Sequence, residues 1–286
     1  MATLKQIRAR IRTAKSIQQI TRAMKLVAAA RLKRAQDRVL QARPFSEKML
    51  DLMRQLGAAG DLPDHPLLAV RPIQRGGVLV ITSDRGLCGS FNTNILRCAE
   101  GLLSERPIEA WRLITVGKKG QAFFSKRGYQ LAEHYSFPPT GATLSDAGTV
   151  TGRISEMFVS GETDAIYLVY SKFVSPLKQV PSVTQLLPIE PPSDGENGPA
   201  LDYIFEPSAA ELLGRLLPHY LRTLVYQAFI EANASEHGSR MTAMSAATDN
   251  AATMIRELTL HANTVRQAGI TKELLEVVGG AEALSG

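Results

Sequence analysis

The amino-acid sequence predicts an α/β protein: a long antiparallel coiled coil of N- and C-terminal helices with an inserted α/β domain. Three observations lead there. All fifteen prolines lie between Pro44 and Pro218, and all seventeen aromatic residues between Phe45 and Phe229. The two chain ends therefore lack both helix breakers and the large side chains of a broad core. Each end carries apolar residues at helical spacing, and the middle alternates apolar runs with helical stretches, the pattern of a mostly parallel sheet covered by helices.

The N-terminal arm is read as one helix over residues 1–60. Leu4, Ile7, Ile11, Ala14, Ile17, Ile20, Met24, Val27, Ala28, Leu32, Ala35 and Val39 recur mostly at steps of three and four, a narrow apolar stripe. Pro44 is expected to kink the helix, and Gly57, Gly60 and Pro63 to end it. A helix of about 50 residues would be roughly 75 Å long. Twelve of the first forty-three residues are basic and only Asp37 is acidic, so this arm carries +11 of a net +6 and the remainder sums to −5. Such a segment implies an acidic protein surface, nucleic acid or anionic lipid as partner.

The middle, residues 75–205, reads as strand 77–82, turn 83–89, helix 92–104, strand 112–116, helix 118–126, strand 130–136, helix 144–159 and strand 165–173. Residues 180–187 add an edge strand, because Pro181 is excluded from a central one. Residues 188–199, rich in proline, glycine and acid, read as a linker. No internal repeat is visible.

The C-terminal arm, residues 208–286, carries Met241, Met244, Thr248, Ala251, Ile255, Leu258, Ala262 and Val265 in strict 3-4 alternation, a heptad seam. Leu213, Leu217, Tyr220 and Leu224 extend it upstream. Ser208 and Glu211 have capping-box spacing, and Pro218 should kink the helix. From 208 to 278 it would measure roughly 105 Å. Paired antiparallel with the first arm, it is longer by about twenty residues, roughly 30 Å. Ile270, Leu274, Leu275, Val277 and Val278 are then left without cover in the chain, an apolar tip that needs another protein around it.

Candidate chemistry is sparse. The turn Ser83-Asp84-Arg85-Gly86-Leu87-Cys88-Gly89-Ser90 precedes a helix, where glycine-rich loops can cradle phosphate. It fits neither phosphate-binding fingerprint, and a tight turn needing glycine freedom explains it better. The five histidines show no metal spacing, Ser175 and Lys178 lack the partners that give an S-x-x-K meaning, and Cys88 and Cys98 have neither metal nor disulfide-scaffold spacing. No catalytic residue, metal ligand or cofactor site is expected. The longest uncharged runs fall short of the roughly 20 residues of a membrane span. The charged start argues against a secretory signal, and the unbroken helical pattern past residue 50 against a removed transit peptide.

Three stretches resemble the gamma subunit of F-type ATP synthase, its central rotor shaft. They are Ile20-Thr21-Arg22-Ala23-Met24-Lys25-Leu26-Val27-Ala28-Ala29; Thr82-Ser83-Asp84-Arg85-Gly86-Leu87-Cys88-Gly89-Ser90-Phe91-Asn92; and Ala247-Thr248-Asp249-Asn250-Ala251 running on through Arg266-Gln267-Ala268-Gly269-Ile270 to Ala281. The resemblance runs from about Thr3 to Ala283. It implies a Rossmann-like insert and a shaft seated in a ring of alternating alpha and beta subunits, with epsilon and the membrane ring of c subunits at the foot. It implies no catalysis and no nucleotide binding by the chain itself; rotation couples proton flow to ATP synthesis at beta sites. By the same resemblance Met24, Lys25, Arg266 and Gln267 are rotor–stator coupling residues, and Tyr203 and Glu206 lie in the c-ring contact. Ile270 to Val278 form the shaft tip. The redox cysteine insert of photosynthetic members is missing, and a bacterial protein peripheral to the cytoplasmic face of the membrane is expected. A basic coiled-coil nucleic-acid binder is the alternative, and an α/β enzyme acting on a phosphate ligand the third reading.

Overall fold

The computed structural model describes residues 3–58, 65–138, 141–190 and 208–285. Helix α1 (Leu4–Ala58) opens the chain and helix α5 (Ala209–Ser285) closes it. Each runs through its proline, Pro44 or Pro218, rather than ending there. Proline removes one backbone bond from a helix, and these helices carry enough packed residues on either side to continue. Two compact units emerge. One holds the residues up to Val27 and those from Met241 onward; the other spans Ala28–Arg240. Both long helices contribute to both units.

The second unit is built on a five-stranded sheet. In chain order come β1 (Gly76–Ile81), α2 (Phe91–Leu103), β2 (Trp111–Val116), α3 (Lys118–Ser125), β3 (Leu131–Tyr135), α4 (Leu144–Val159), β4 (Ala165–Ser175) and β5 (Lys178–Leu187). The strand order is β3-β2-β1-β4-β5. The first four pair in parallel and β5 joins antiparallel at the edge. Pro181 sits in that edge strand opposite Ser171, where a missing N–H leaves no gap in a second ladder.

Every residue of β1 is buried, as a strand covered on both faces requires. Its pleat sorts alternate side chains into two cores. Val78 and Val80 join Phe91, Ile95 and Ala99 of α2, Phe124 of α3 and Trp111. Leu79 and Ile81 join Ile154 and Phe158 of α4, Leu217 and Leu221 of α5, and Met49 and Met53 of α1. Helix α4 starts with a capping box, Thr143 receiving the Asp146 N–H and Asp146 receiving the Thr143 N–H at 2.7 Å, which satisfies two donors that the helix start leaves open.

In the first unit α1 and α5 pair antiparallel. The Lys25 Nζ donates to the Ser245 Oγ at 3.0 Å. The Thr248 hydroxyl donates to that of Thr21 at 2.8 Å, and Thr21 in turn donates to the Gln18 carbonyl at 3.1 Å. The α5 seam is the expected one: Met244, Ala251 and Ala262 are buried, and Thr248, Ile255, Leu258 and Val265 partly so. The α1 seam differs from expectation. Ile17, Ile20 and Val27 are 48%, 59% and 54% exposed, whereas Thr21 is buried and Gln18 partly so. A partner with strict 3-4 alternation demands the same alternation opposite, so after Ile7, Ile11 and Ala14 the next positions are 18 and 21, polar or not. Choosing 17 and 20 would rotate the stripe by one residue, about 100°.

Candidate functional site

In the first unit, Met24 is half-buried and Lys25 is exposed beside Ser245. On the register set by Lys25–Ser245 and Thr21–Thr248, Leu4 at the start of α1 comes opposite roughly residue 266 of α5. From Arg266 to Ala281 every residue is exposed. Arg266 and Gln267 stand where the pairing ends, and Ile270, Leu274, Leu275, Val277 and Val278 beyond it are 50–70% exposed. That stretch has local helical support, such as Lys272 with Glu276 at 3.6 Å, but exposes five large apolar side chains. Singly exposed apolar residues are ordinary; five within nine residues mark a contact surface. Tyr203 and Glu206 lie outside the described residues.

The glycine turn is organised from within the second unit. Asn92 Oδ1 receives the Ser83 N–H at 3.0 Å, its Nδ2 donates to Ser83 Oγ at 2.8 Å, and Ser83 Oγ donates to the Arg85 carbonyl at 2.6 Å. Asp84 receives the Lys118 N–H at 2.9 Å. Leu87 and Gly89 both have positive φ, 60° and 55°, which Gly89 adopts without strain and Leu87 does not. The turn thus spends its polar groups on its own shape, in keeping with the tight-turn reading rather than the phosphate cradle. Cys88 is a buried thiol, pushed above its ordinary value by burial.

Sequence reasoning missed what fastens that turn. Ser239 of α5 donates to the Cys88 carbonyl at 2.7 Å, and the Arg240 guanidinium to the Gly86 carbonyl at 3.3 Å. Arg240 also pairs with Glu236 at 2.6 Å, both side chains nearly buried, and lies 3.2 Å from His237 Nδ1. Arginine is always charged, so His237 Nδ1 accepts and the neutral ring carries its proton on Nε2. Burial pushes the imidazole down to about 4, with Arg240 and Arg31 adding charge repulsion. Burial also holds the Glu236 carboxyl above its usual range, although Arg240 opposes the shift. Farther up α5, Glu231 receives the Phe173 N–H at 3.3 Å and Ser235 donates to the Ser171 carbonyl at 3.0 Å, lacing the helix to β4. No local signal marked these residues, because Asn233, His237 and Ser239 make the stretch from Glu231 to Arg240 polar throughout, with only Ala232 and Ala234 apolar.

Among the described residues no cluster of His, Cys, Asp and Glu could hold a metal ion, and no helix is long and apolar enough to cross a membrane. The second unit therefore presents a doubly covered sheet with a self-satisfied turn. The first presents paired helices with an uncovered end.

Comparison with known proteins accounts for that combination. Residues 3–284 match the family model described as ATP synthase. The ATP synthase gamma chain of Pelotomaculum thermopropionicum is 46% identical over 284 residues, covering 99% of this chain and all of that one. That of Brevibacillus brevis is 45% identical over 282 residues, 98% of each. Among solved structures, the central stalk and c-ring structure of Tetrahymena thermophila mitochondrial ATP synthase contains a chain matching at TM-score 0.61 and 26% identity, over 80% of this chain and 99% of that one. A chain of the Euglena gracilis mitochondrial ATP synthase shares the fold at TM-score 0.70 and 19% identity, over 98% and 94%. This chain belongs to the ATP synthase gamma-chain family.

Proposed function

We propose that this chain is the non-catalytic rotor of an F-type ATP synthase, turning inside a ring of three alpha and three beta subunits. The chain is the central subunit of F1 and couples proton flow through the c-ring to ATP synthesis or hydrolysis at the beta sites. The observation that carries the reading is the paired-helix unit with its uncovered apolar end, in a chain matched to the family along nearly its whole length. A seam of Ala, Thr and Met lets the two helix axes approach closely. Ile17, Ile20, Leu26 and Val27, exposed on α1, supply apolar surface for a surrounding sleeve.

Torque transmission needs contacts that hold and are then remade at each third of a turn. Exposed charges and single hydrogen bonds, worth about 0–1 kcal/mol each and screened by salt, suit that cycle better than a buried interface. On this reading Met24 and Lys25 meet the moving parts of beta, Arg266 and Gln267 bond to the ring where the helix pairing ends, and Ile270 to Val278 turn in the bearing. Tyr203 and Glu206 serve the foot, beside epsilon and the c-ring. The working division is a helix over residues 1–60, a Rossmann-like domain over 75–205 and a second helix over 208–286, peripheral to the cytoplasmic face of a bacterial inner membrane. The basic arm faces protein carboxylates; nothing favours the nucleic-acid alternative, since its arginines are interleaved with a continuous packing seam rather than set apart as a DNA-reading block.

Reconstitution tests this. The purified chain alone should hydrolyse no ATP, and addition to alpha and beta subunits should yield an assembled, active complex. ATPase activity of the isolated chain would contradict the non-catalytic role, and failure to assemble would refute the rotor. Lys25→Ala and Arg266→Ala should lower the ratio of ATP made to protons passed while leaving the sheet folded; unchanged ratios would remove those residues from the coupling set.

A further inference from the structure

A cleft of about 300 Å³ lies within the second unit, lined by Arg31, Arg34 and Arg38 of α1, Gly141 ahead of α4, and Asn233 and His237 of α5. Its charge is one-sided. None of the lining residues is a carboxylate; the nearby Glu236 pairs with Arg240 at 2.6 Å and also attracts Arg31 through space. Arg31 and Arg34 make no ion pair or hydrogen bond among the described residues. Gly141 has φ +92°, and a Cβ there would collide with the Arg38 guanidinium, so this arginine reaches the loop backbone only because the side chain is missing. His237 is buried, with Nδ1 turned to Arg240 and its proton on Nε2, which makes it a further donor rather than an acceptor. The guanidinium forks of Arg31 and Arg34, with Arg38 held at the loop beside them, an imidazole N–H and a carboxamide line one small cavity, the chemistry that recognises a phosphate group.

We propose that this cleft is a binding site for a phosphate-class polyanion of about the size of inorganic pyrophosphate. Such a ligand bridges α1, the Gly141 loop and α5, replacing mutual repulsion among the arginines with charge-assisted hydrogen bonds. The group can arrive as free phosphate or pyrophosphate, or as the phosphates of a nucleotide. The site draws on three arginines of the basic arm, so it is tested on the isolated full chain, where no partner carboxylate competes for them.

The experiment is isothermal titration of the purified chain with pyrophosphate, inorganic phosphate and ADP in separate arms at constant ionic strength, with chloride as the control. Pyrophosphate should bind one-to-one and saturably with Kd on the order of 0.1 mM. Arg34→Gln should weaken binding roughly tenfold, and the Arg31→Gln, Arg34→Gln double variant should abolish it. Lys48→Gln, the same charge change at an exposed position of α1 outside the cleft, should leave it unchanged. The relative affinities of the pyrophosphate and ADP arms identify the source of the group. A second readout is the nitrogen resonances of His237, which should shift on addition of pyrophosphate in the parent chain and stay fixed in the double variant. Unsaturable heats in every arm, or equal binding in the parent chain and the double variant, would overturn the site.

Discussion

His237 makes the stability of the second unit depend on pH in a way that one substitution should erase. Its imidazole is buried and held down to about 4, against about 6.5 for an exposed histidine. Burial is the main cause, and Arg240 and Arg31 oppose a second positive charge beside them. Below pH 6.5 the unfolded chain takes up a proton that the folded chain refuses, so stability falls as pH falls. The slope is roughly 1.4 kcal/mol per pH unit for one proton. The contribution is complete above pH 6.5 and is lost as pH approaches 4, about 3 kcal/mol across the window. Glu236 acts with the opposite sign, because its carboxyl is raised by burial and its contribution is lost as pH rises through that value. It is present in both proteins, so the difference between parent and variant isolates the histidine. His237→Gln keeps an acceptor for Arg240 and removes the titration. The assay is urea unfolding followed by fluorescence of Trp111, the only tryptophan and 1% exposed, at several pH values from 7 to 4.5 in phosphate-free buffer. Parallel stability curves for the two proteins would refute the reasoning.

Three further outcomes follow from the same geometry. Arg240→Met strands the Glu236 carboxylate and frees the Gly86 carbonyl, so urea unfolding at pH 7 should show a loss of about 3–5 kcal/mol; adding Glu236→Gln should restore much of it. Gly117→Ala places a methyl at φ +92° against the Thr82 carbonyl, and thermal unfolding should register a loss of at least about 1–3 kcal/mol. Deleting residues 270–286 should leave the Trp111 signal and unfolding midpoint unchanged, while assembly with alpha and beta, or coupling in the assembled complex, is weakened; unchanged assembly and coupling would make the tip dispensable.

The α5 seam was legible because its positions from Met241 to Val265 are apolar, small or Thr in unbroken heptads, and local spacing alone defines such a face. The strands were legible for a related reason: β1 opens on a glycine pair and continues as an unbroken apolar run to the turn. The α1 seam was misread at Ile17 and Ile20 because Gln18 and Thr21 look like surface residues, and only the partner helix requires their positions. The Glu236–Arg240 fastening of the glycine turn joins residues about 150 apart in the chain, so no local pattern announced it.

Composition and periodicity were enough to establish two proline-poor helical arms around an α/β insert, with one arm overreaching the other, since these depend on residues close together in the chain. The motifs carried the family. The tertiary structure decided which residues turn inward along α1, what anchors the turn, and which arginines gather around a common cleft. Each of those depends on desolvation and charge between segments far apart in sequence, and burial is a property that a side chain acquires only from its neighbours in space.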